Sequence, residues 1–194
     1  MIRRQLTSAV VVLSLLTLLV GVAYPLVVTG IARLAFPGRA DGSLLRVDGS
    51  VVGSRLLGQT FTTPRYFHPR PSAAGNGYDG AASGASNLGP TNPVLFDLVR
   101  TRAFAYRLEN GLPSAAAVPV DAVTASASGL DPQISPENAR IQAPRVARVR
   151  RLKLDRVLAL IDRSTAGRPL GVLGEPAVNV LELNLALDRA VRTG

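Results

Sequence analysis

The feature that most constrains this chain is an uncharged apolar run near its N-terminus, residues 6–32. A helix of these 27 residues would reach about 40 Å, more than the roughly 30 Å hydrocarbon core of a bilayer. A cleaved signal peptide is the alternative, with Gly21-Val22-Ala23 as a weak cleavage site. The apolar region of a signal peptide is usually only about 7–15 residues long. We therefore predict a retained transmembrane helix over residues 6–32.

The charges beside this span do not orient it. Arg3 and Arg4 precede the span, whereas Arg33, Arg39 and Arg46 follow it. Large translocated domains also escape the positive-inside rule. The residues alone therefore predict three parts, 1–5, 6–32 and 33–194, and leave the sidedness open.

Small residues recur along the span. Thr7, Ser14 and Gly21 are spaced by seven, and a face of small residues lets a second membrane helix approach closely. Small residues are also common in such spans generally, so packing against a partner helix and plain composition both explain the pattern. Pro25 is expected to bend the outer turns.

The rest of the chain predicts a mixed α+β fold. Short strands are expected at 43–47, 51–57 and 118–123, and a helix at 93–110 with Asn92 as its cap. Ser135-Pro136-Glu137 is a strong helix start, and Pro144 should bend or break that helix. A further helix carries Leu154, Val157, Leu158 and Ile161. Residues 178–188 alternate like a strand, but the capping-box spacing of Asn179 and Glu182 favours a helix.

A long irregular stretch, residues 63–93, is rich in Pro, Gly, Ser and Asn. It also carries Tyr66, Phe67, Tyr78 and Leu88, apolar anchors that a free linker does not need. We predict an ordered loop packed on the domain or on a partner. The fold class is thus α+β, a single N-terminal transmembrane helix followed by one mixed domain with long ordered loops.

Residues suited to catalysis are scarce. The chain has no Cys, a single His, His68, and a single Lys, Lys153, so thiolate metal sites and phosphate-binding loops are excluded. Residues 75–80 match G-x-G-x-x-G, but they lie in an irregular stretch rather than between a strand and a helix. A lone His beside Phe67 and Pro69 is more typical of a surface or packing residue than of a catalytic one. We predict no catalytic residues, no metal site and no tightly bound cofactor.

The formal net charge is +9, which raises the question of an acidic partner. A basic run lies in the second half of the chain, and we interpret it as a solvated helix face, with membrane headgroups or an acidic subunit as the rival. Nucleic acid is disfavoured because the run lacks aromatic residues and follows a membrane span. The run comprises Arg140, Arg145, Arg148, Arg150, Arg151, Lys153 and Arg156.

Four sequence blocks in order resemble the small C subunit of the Kdp potassium-transporting P-type ATPase. Together with the N-terminal span, which ends in Tyr24-Pro25-Leu26, they extend the resemblance over essentially the whole chain. The blocks are GQTF with YFHPRPSA (58–61 and 66–73), SNLGPTNP (86–93), VTASASGLDPQISPENARIQAPRVA (123–147) and LGEPAVNVLELNLALD (173–188).

The resemblance implies a role in ATP-driven potassium uptake across the inner (plasma) membrane. The partners it implies are a channel-like A subunit, an ATP-hydrolysing B subunit, a small F subunit and membrane lipid. It also implies a cytoplasmic N-terminus and an extracytoplasmic domain. The chain itself would be a non-catalytic accessory subunit needed for assembly and coupling.

In the family this subunit is described as a catalytic chaperone that raises the ATP affinity of the B subunit. Gln142 occupies the position linked to nucleotide contact, and ATP would bind only within the complex. A nucleotide role conflicts with an extracytoplasmic domain that has no phosphate-binding loop, so assembly and coupling is the simpler interpretation. The alternative function is a membrane-anchored basic binding module of the cell envelope.

Overall fold

The computed structural model describes residues 2–192. Its contacts divide the chain into two units, one ending at Val52 and one beginning at Gly53. The elements before residue 55 are helix α1 (Ile2–Leu16), a π-helical segment (Thr17–Ala23), helices α2 (Tyr24–Ala35) and α3 (Pro37–Ala40), and strands β1 (Leu44–Val47) and β2 (Ser50–Ser54).

The first unit begins with one long apolar helix, which runs from Ile2 to Ala35 when the π-helical segment is included. By length and composition it could cross a membrane, and none of its most apolar stretch is buried within the chain. The π-helical segment lies just ahead of Pro25. A proline cannot donate the hydrogen bond that its position in an α-helix requires, and a wider turn accommodates that loss.

The second unit contains the remaining elements. They are helices α4 (Pro93–Asn110) and α5 (Val120–Val123), strand β3 (Gln133–Ile134), helices α6 (Pro136–Arg150) and α7 (Leu154–Ser164), strand β4 (Thr165–Ala166), a 3₁₀ turn (Pro169–Gly171), strand β5 (Ala177–Asn179) and helix α8 (Val180–Arg192).

A small antiparallel sheet in the order β3-β5-β4 joins the helices of this unit. Helices α6, α7 and α8 pack with it around one apolar core. Successive turns of α8 supply Leu183 and Leu187, and α7 supplies Val157 and Ile161, all fully buried. The predicted mixture of helix and sheet is confirmed.

Capping residues set the helix boundaries as predicted. The Asn92 side chain accepts from the Val94 amide, and Ser135 accepts from the Asn138 amide, so α4 and α6 begin where their caps are. Asn179 likewise accepts from the amide of Glu182 at 3.1 Å. The tail at 178–188 is therefore a helix preceded by a three-residue strand, which confirms the capping-box interpretation.

One local prediction was wrong, and one of two alternatives was excluded for another. Residues 118–123 do not form a strand, because Pro119 leads into the single helical turn α5, which Asp121 fastens to Ser135. Of the two effects expected of Pro144, a bend or a break, the break does not occur, because α6 continues to Arg150. Pro144 is exposed, as is Arg140, whose carbonyl the missing amide would have bonded, so water can satisfy that carbonyl.

The segment between β2 and α4, residues 55–92, contains most of the irregular stretch described above. It is attached to the helical core at Phe67. This side chain is fully buried, and its backbone exchanges two hydrogen bonds with the Asn184 side chain, at 2.9 and 3.0 Å. The side-chain amide of Asn184 thus satisfies the backbone N–H and C=O groups of Phe67, as a neighbouring strand would in a sheet. Further along, the Ser72 hydroxyl donates to the Gly129 carbonyl at 2.6 Å.

Candidate functional site

A pocket of about 390 Å³ with many polar side chains in its lining opens in the second unit, where the stretch 60–78 meets helices α4 and α6. Its walls combine residues from two of the sequence blocks that carry the family resemblance with residues of helix α4. The lining includes Thr60, His68, Arg70, Ser72, Tyr78, Arg102, Tyr106, Glu109, Asn138 and Gln142. We treat this pocket as the candidate functional site.

Gln142 lies in the pocket wall with only 1% of its surface exposed. Its Oε1 accepts from the His68 amide at 2.7 Å and from the Arg145 guanidinium at 2.8 Å. Its Nε2 donates to the His68 carbonyl at 3.1 Å and to Asn138 Oδ1 at 2.9 Å. A side-chain amide has two donor positions and two acceptor positions, and all four are filled from within the chain.

Arg145 lies one turn further along α6 and is 2% exposed. Its guanidinium donates to Gln142 and also to the carbonyls of Pro64 and Tyr66, at 2.6 and 3.0 Å, and to Asn110 Oδ1 at 3.0 Å. Burial lowers the pKa of Arg145, and the carboxylate of Glu109 acts in the opposite direction. The planar guanidinium group of Arg145, with its N–H donors in a fixed arrangement, therefore joins the irregular stretch to α4 and α6.

His68 bridges the same elements. Its Nδ1 lies 2.7 Å from the Glu109 carboxylate, and its Nε2 lies 2.9 Å from the Thr63 carbonyl. A neutral imidazole has one N–H and can donate to only one of these acceptors, whereas the doubly protonated ring donates to both. His68 is thus engaged in packing the irregular stretch against α4.

Glu109 carries the negative charge nearest to this cluster. Partial burial raises the pKa of its carboxyl, but the hydrogen bond and charge of His68, together with the charge of Arg145, outweigh burial and hold that pKa below its ordinary value of 4.5. A depressed folded-state pKa means that the ionised carboxyl stabilises the fold at neutral pH. That stability is lost as pH falls through the folded pKa.

We therefore expect Glu109→Gln to make the free energy of unfolding depend less steeply on pH below neutrality. Between about pH 6 and 3 the wild-type chain should lose unfolding free energy more steeply than the variant. Chemical denaturation followed by circular dichroism measures both curves. Glu175→Gln, which alters a solvent-exposed ion pair with Arg168, should keep the wild-type slope. Equal slopes for wild type and Glu109→Gln would contradict this assignment.

A second chain of hydrogen bonds lies behind the pocket. The Tyr106 hydroxyl donates to Asn138 Oδ1 at 2.8 Å, and Asn138 donates to Asp121 at 3.0 Å. Burial, and then the charge of Asp121, raise the pKa of Tyr106. Burial and then Asp131 raise the pKa of Tyr78, against a smaller opposing effect of Arg70. Both phenols therefore stay protonated near neutral pH and act as hydrogen-bond donors.

The charged side chains at the rim of the pocket have partners within the domain. Among residues 2–192, no group of three or more His, Cys, Asp and Glu side chains is arranged to hold a metal ion. Arg70 ion-pairs with Asp131 at 2.8 Å, and Arg102 donates to the Val123 carbonyl at 3.0 Å. The charged groups at the rim are thus already partnered within the domain.

The sequence interpretation of the basic run was wrong for two of its members. Arg145 is buried, and the Arg150 side chain is 1% exposed, ion-paired with Asp188 and stacked 4.6 Å over the Tyr66 ring. A signal did exist for Arg145, because Asn138, Gln142 and Arg145 share a helix face with the apolar positions of α6. Arg148, Arg151 and Lys153 are exposed, as predicted.

The proposed packing residues Thr7, Ser14 and Gly21 lie in the first unit and are all exposed along the apolar helix. The Thr7 hydroxyl donates to the Arg3 carbonyl at 2.9 Å, which satisfies it within its own helix. The π-helical segment begins between Ser14 and Gly21, and its wider turns rotate Gly21 away from the position that strict α-helical spacing predicts. A shared partner helix for all three residues stays a prediction.

Within residues 2–192, the fold and the site define a chain with one apolar helix long enough to cross a membrane and an α+β unit in which the buried side chains of Asn138, Gln142 and Arg145 bond to other parts of the fold. Residues 6–189 match the profile of the family described as K⁺-transporting ATPase, c chain (KdpC). The chain belongs to this family.

Similar proteins cover nearly the whole chain. A protein from Mycobacterium tuberculosis (strain H37Rv) named Potassium-transporting ATPase KdpC subunit is 57% identical over 187 residues, 96% of this chain and 99% of that protein. Proteins of the same name from Caulobacter vibrioides (strain CB15) and Caulobacter sp. (strain K31) are 56% and 54% identical over 185 residues. Each alignment covers 95% of this chain. It covers 92% of the Caulobacter vibrioides protein and 93% of the Caulobacter sp. protein.

Proposed function

We propose that this chain is a non-catalytic accessory subunit that assembles and couples an ATP-driven potassium uptake complex. The partners are the channel-like A subunit, the ATP-hydrolysing B subunit, the small F subunit and membrane lipid. Residues 6–32 anchor the chain in the inner membrane with residues 1–5 in the cytoplasm, and residues 33–194 form the extracytoplasmic domain. Family membership supports the subunit role and the class of complex.

One observation carries the assembly role. Helix α4 exposes Phe104 and Leu108, which are 69% and 75% accessible and follow each other one helical turn apart. Large apolar side chains at this spacing form a ridge that water solvates poorly. Phe96, on the same helix, is 53% exposed. A surface of this kind in a subunit of a larger assembly fits contact with another subunit.

We also propose that any effect of this chain on ATP affinity passes through subunit contacts. The catalytic chaperone description calls for an influence on the B subunit, and Gln142 is the residue the family links to nucleotide. A nucleotide that contacted Gln142 would have to displace one of four protein hydrogen bonds in a buried site. Leaving a buried group unpaired costs about 1–3 kcal/mol, which favours Gln142 as a positioning residue.

Co-purification of the tagged full chain from native membranes tests the assembly role. Wild-type chain is expected to recover the other ATPase subunits, and the double variant Phe104→Ser/Leu108→Ser to recover severalfold less. Val191→Ser, another exposed apolar position on α8, is the control and should behave as wild type. The alternative, an anchored basic binding module, predicts no co-purifying ATPase subunits and full binding after removal of the span.

The membrane helix makes a separate prediction. Gly21→Ile should hold a partner helix away and lower recovery of the intact complex, whereas Leu18→Ile should not. A β-carbon at Gly21 lies 3.8 Å from Thr17 Cγ2, an ordinary contact, so the glycine is not required by its own helix. Quantitative mass spectrometry of detergent-solubilised complex measures recovery. Equal recovery from the two variants would remove the basis for a packing role of Gly21.

A further inference from the structure

The pocket beside Gln142 has the size and the lining of a small-molecule site. Its volume of about 390 Å³ has room for about a dozen water-sized groups. Small-molecule sites are mostly apolar, with a few polar groups that fix the ligand. The apolar part of this lining consists of Phe61, Pro69, Pro71, Ala105, Ala122 and the ring of Tyr78.

Arg102, on α4, brings to the pocket a positive charge that no carboxylate of the described chain pairs with. The other charged side chains of the lining have ionisable partners, since Arg70 pairs with Asp131 and Glu109 with His68. Arg102 is only partly exposed, and burial lowers the pKa of its guanidinium with no opposing effect from a nearby acid. A partly buried charge without a counter-charge is unfavourable, and an anionic ligand would offset that cost.

Two guanidinium groups meet at this end of the pocket. Arg70 Nε donates to the Thr124 carbonyl at 3.4 Å, and Arg102 Nη1 donates to the adjoining carbonyl of Val123 at 3.0 Å. A single carboxylate, that of Asp131, pairs with Arg70. The described part of the chain therefore leaves one positive charge here uncompensated.

A structural account of Arg102 is that it binds the last carbonyl of α5, at Val123. That contact uses one N–H of a guanidinium that has five. The acid on the same turn, Asp121, accepts from Ser135 and Asn138 instead. The Nε and Nη2 groups of Arg102 thus have no partner between residues 2 and 192. This side-on pair of donors matches the two oxygens of a carboxylate.

We propose that the pocket binds a small organic acid with one carboxylate, which Arg102 pairs side-on while the apolar wall receives the uncharged body of the acid. One carboxylate balances the one uncompensated charge, whereas a phosphate group carries up to about two negative charges near neutral pH. Thr60 and Asn76 add a hydroxyl and an amide to the lining, which would bond polar substituents of the acid. This site does not depend on the proposed assembly role.

The layout of α4 favours a small molecule over an acidic side chain of a partner subunit. Arg102, Ala105 and Glu109 follow one another at spacings of three and four, so they form the stripe of α4 that lines the pocket. Phe104 and Leu108, the exposed ridge assigned to subunit contact, lie off this stripe. A subunit that packs on the ridge therefore need not enter the pocket.

Proton–nitrogen correlation NMR of the full chain in nonionic detergent micelles tests the site, because it detects the Nε–H groups of arginine side chains. The probes are benzoate and hexanoate, with benzamide as the uncharged analogue of benzoate and inorganic phosphate as a competing anion. Arg102→Gln is the test variant. Arg100→Gln, which removes the same charge from an exposed position on the same helix, is the matched control. Ala105→Trp fills the pocket from an exposed position and serves if Arg102→Gln does not fold.

We expect benzoate and hexanoate to shift the Arg102 Nε–H signal saturably, with equal affinity for wild type and Arg100→Gln. Arg102→Gln should bind both acids about 10- to 100-fold more weakly, the loss expected for one charge-assisted pair. Ala105→Trp should weaken binding by a similar factor. Benzamide should bind wild type at least about 10-fold more weakly than benzoate does.

Absence of saturation with both acids in the wild-type chain would overturn the proposal, as would equal affinities of wild type and Arg102→Gln. Equal affinities for benzoate and benzamide would contradict the charge pairing, and displacement of benzoate by an equal concentration of inorganic phosphate would contradict the carboxylate assignment. Loss of ATPase subunits from Arg102→Gln, with no acid bound by wild type, would show that a partner's acidic side chain occupies the pocket. Failure of wild type to recover ATPase subunits counts against the assembly role alone, since the pocket is tested on the purified chain.

Discussion

Replacing Arg145 by Met is expected to lower the free energy of unfolding by about 3–5 kcal/mol. The methionine fills much of the volume of the arginine stem but supplies no donors. Four acceptors then lose a partner in the interior, namely two carbonyls of the irregular stretch, Asn110 Oδ1 and Gln142 Oε1. Denaturant unfolding of the full chain in detergent, followed by circular dichroism, measures the change.

Arg148→Met is the matched control. Arg148 lies one turn from Arg145 on the same helix but is exposed, so its replacement should change stability by no more than about 0.5 kcal/mol. Arg145→Lys should fall between the two, because a single ammonium cannot reach four acceptors with the geometry of a guanidinium. A loss below about 1 kcal/mol for Arg145→Met would contradict the assignment of Arg145 as the centre of the network.

Gln142→Ala should be the second most damaging change, with a loss of about 2–4 kcal/mol. The substitution removes four hydrogen bonds and detaches the His68 backbone from α6. Gln142→Glu should also destabilise, since a carboxylate oxygen would then face the His68 carbonyl and Asn138 Oδ1. Gln133→Ala, at an exposed glutamine, should leave stability unchanged.

Kinetics of the assembled complex separate a structural role of Gln142 from a nucleotide contact. With a structural role, Gln142→Ala lowers the amount of intact ATPase complex but leaves its KM for ATP unchanged at a temperature where the domain is folded. A direct contact would raise the KM for ATP with no change in complex yield. The ATPase assay on purified complex, normalised to complex concentration, gives both quantities.

Local signals in the sequence predicted much of the fold. Asn92, Ser135 and Asn179 each cap a helix that begins at the next residue, and capping depends only on neighbouring residues. The apolar helix near the N-terminus is likewise evident from its composition. Predictions that depended on distant contacts were less reliable. The turn α5 is set by bonds between Asp121 and a segment 14 residues further on.

The candidate site was predicted only in outline. Family resemblance pointed to Gln142, but nothing local shows that its four partners come from His68, Asn138 and Arg145. The two buried arginines were missed because charge alone favours the surface, and their compensation comes from far away. Arg145 bonds carbonyls about 80 residues earlier in the chain, and Arg150 pairs with Asp188. Such pairings become visible only when the tertiary contacts are known.

The most direct test of the central claim, that this subunit acts through contacts and not by binding nucleotide, is a calorimetric titration of ATP into the purified full chain. The filled hydrogen bonds of Gln142 and the absence of a phosphate-binding loop predict no saturable heat at micromolar ATP, with or without Mg²⁺. Saturable binding in the micromolar range, abolished in a folded Gln142 variant, would contradict the claim and restore a direct nucleotide role.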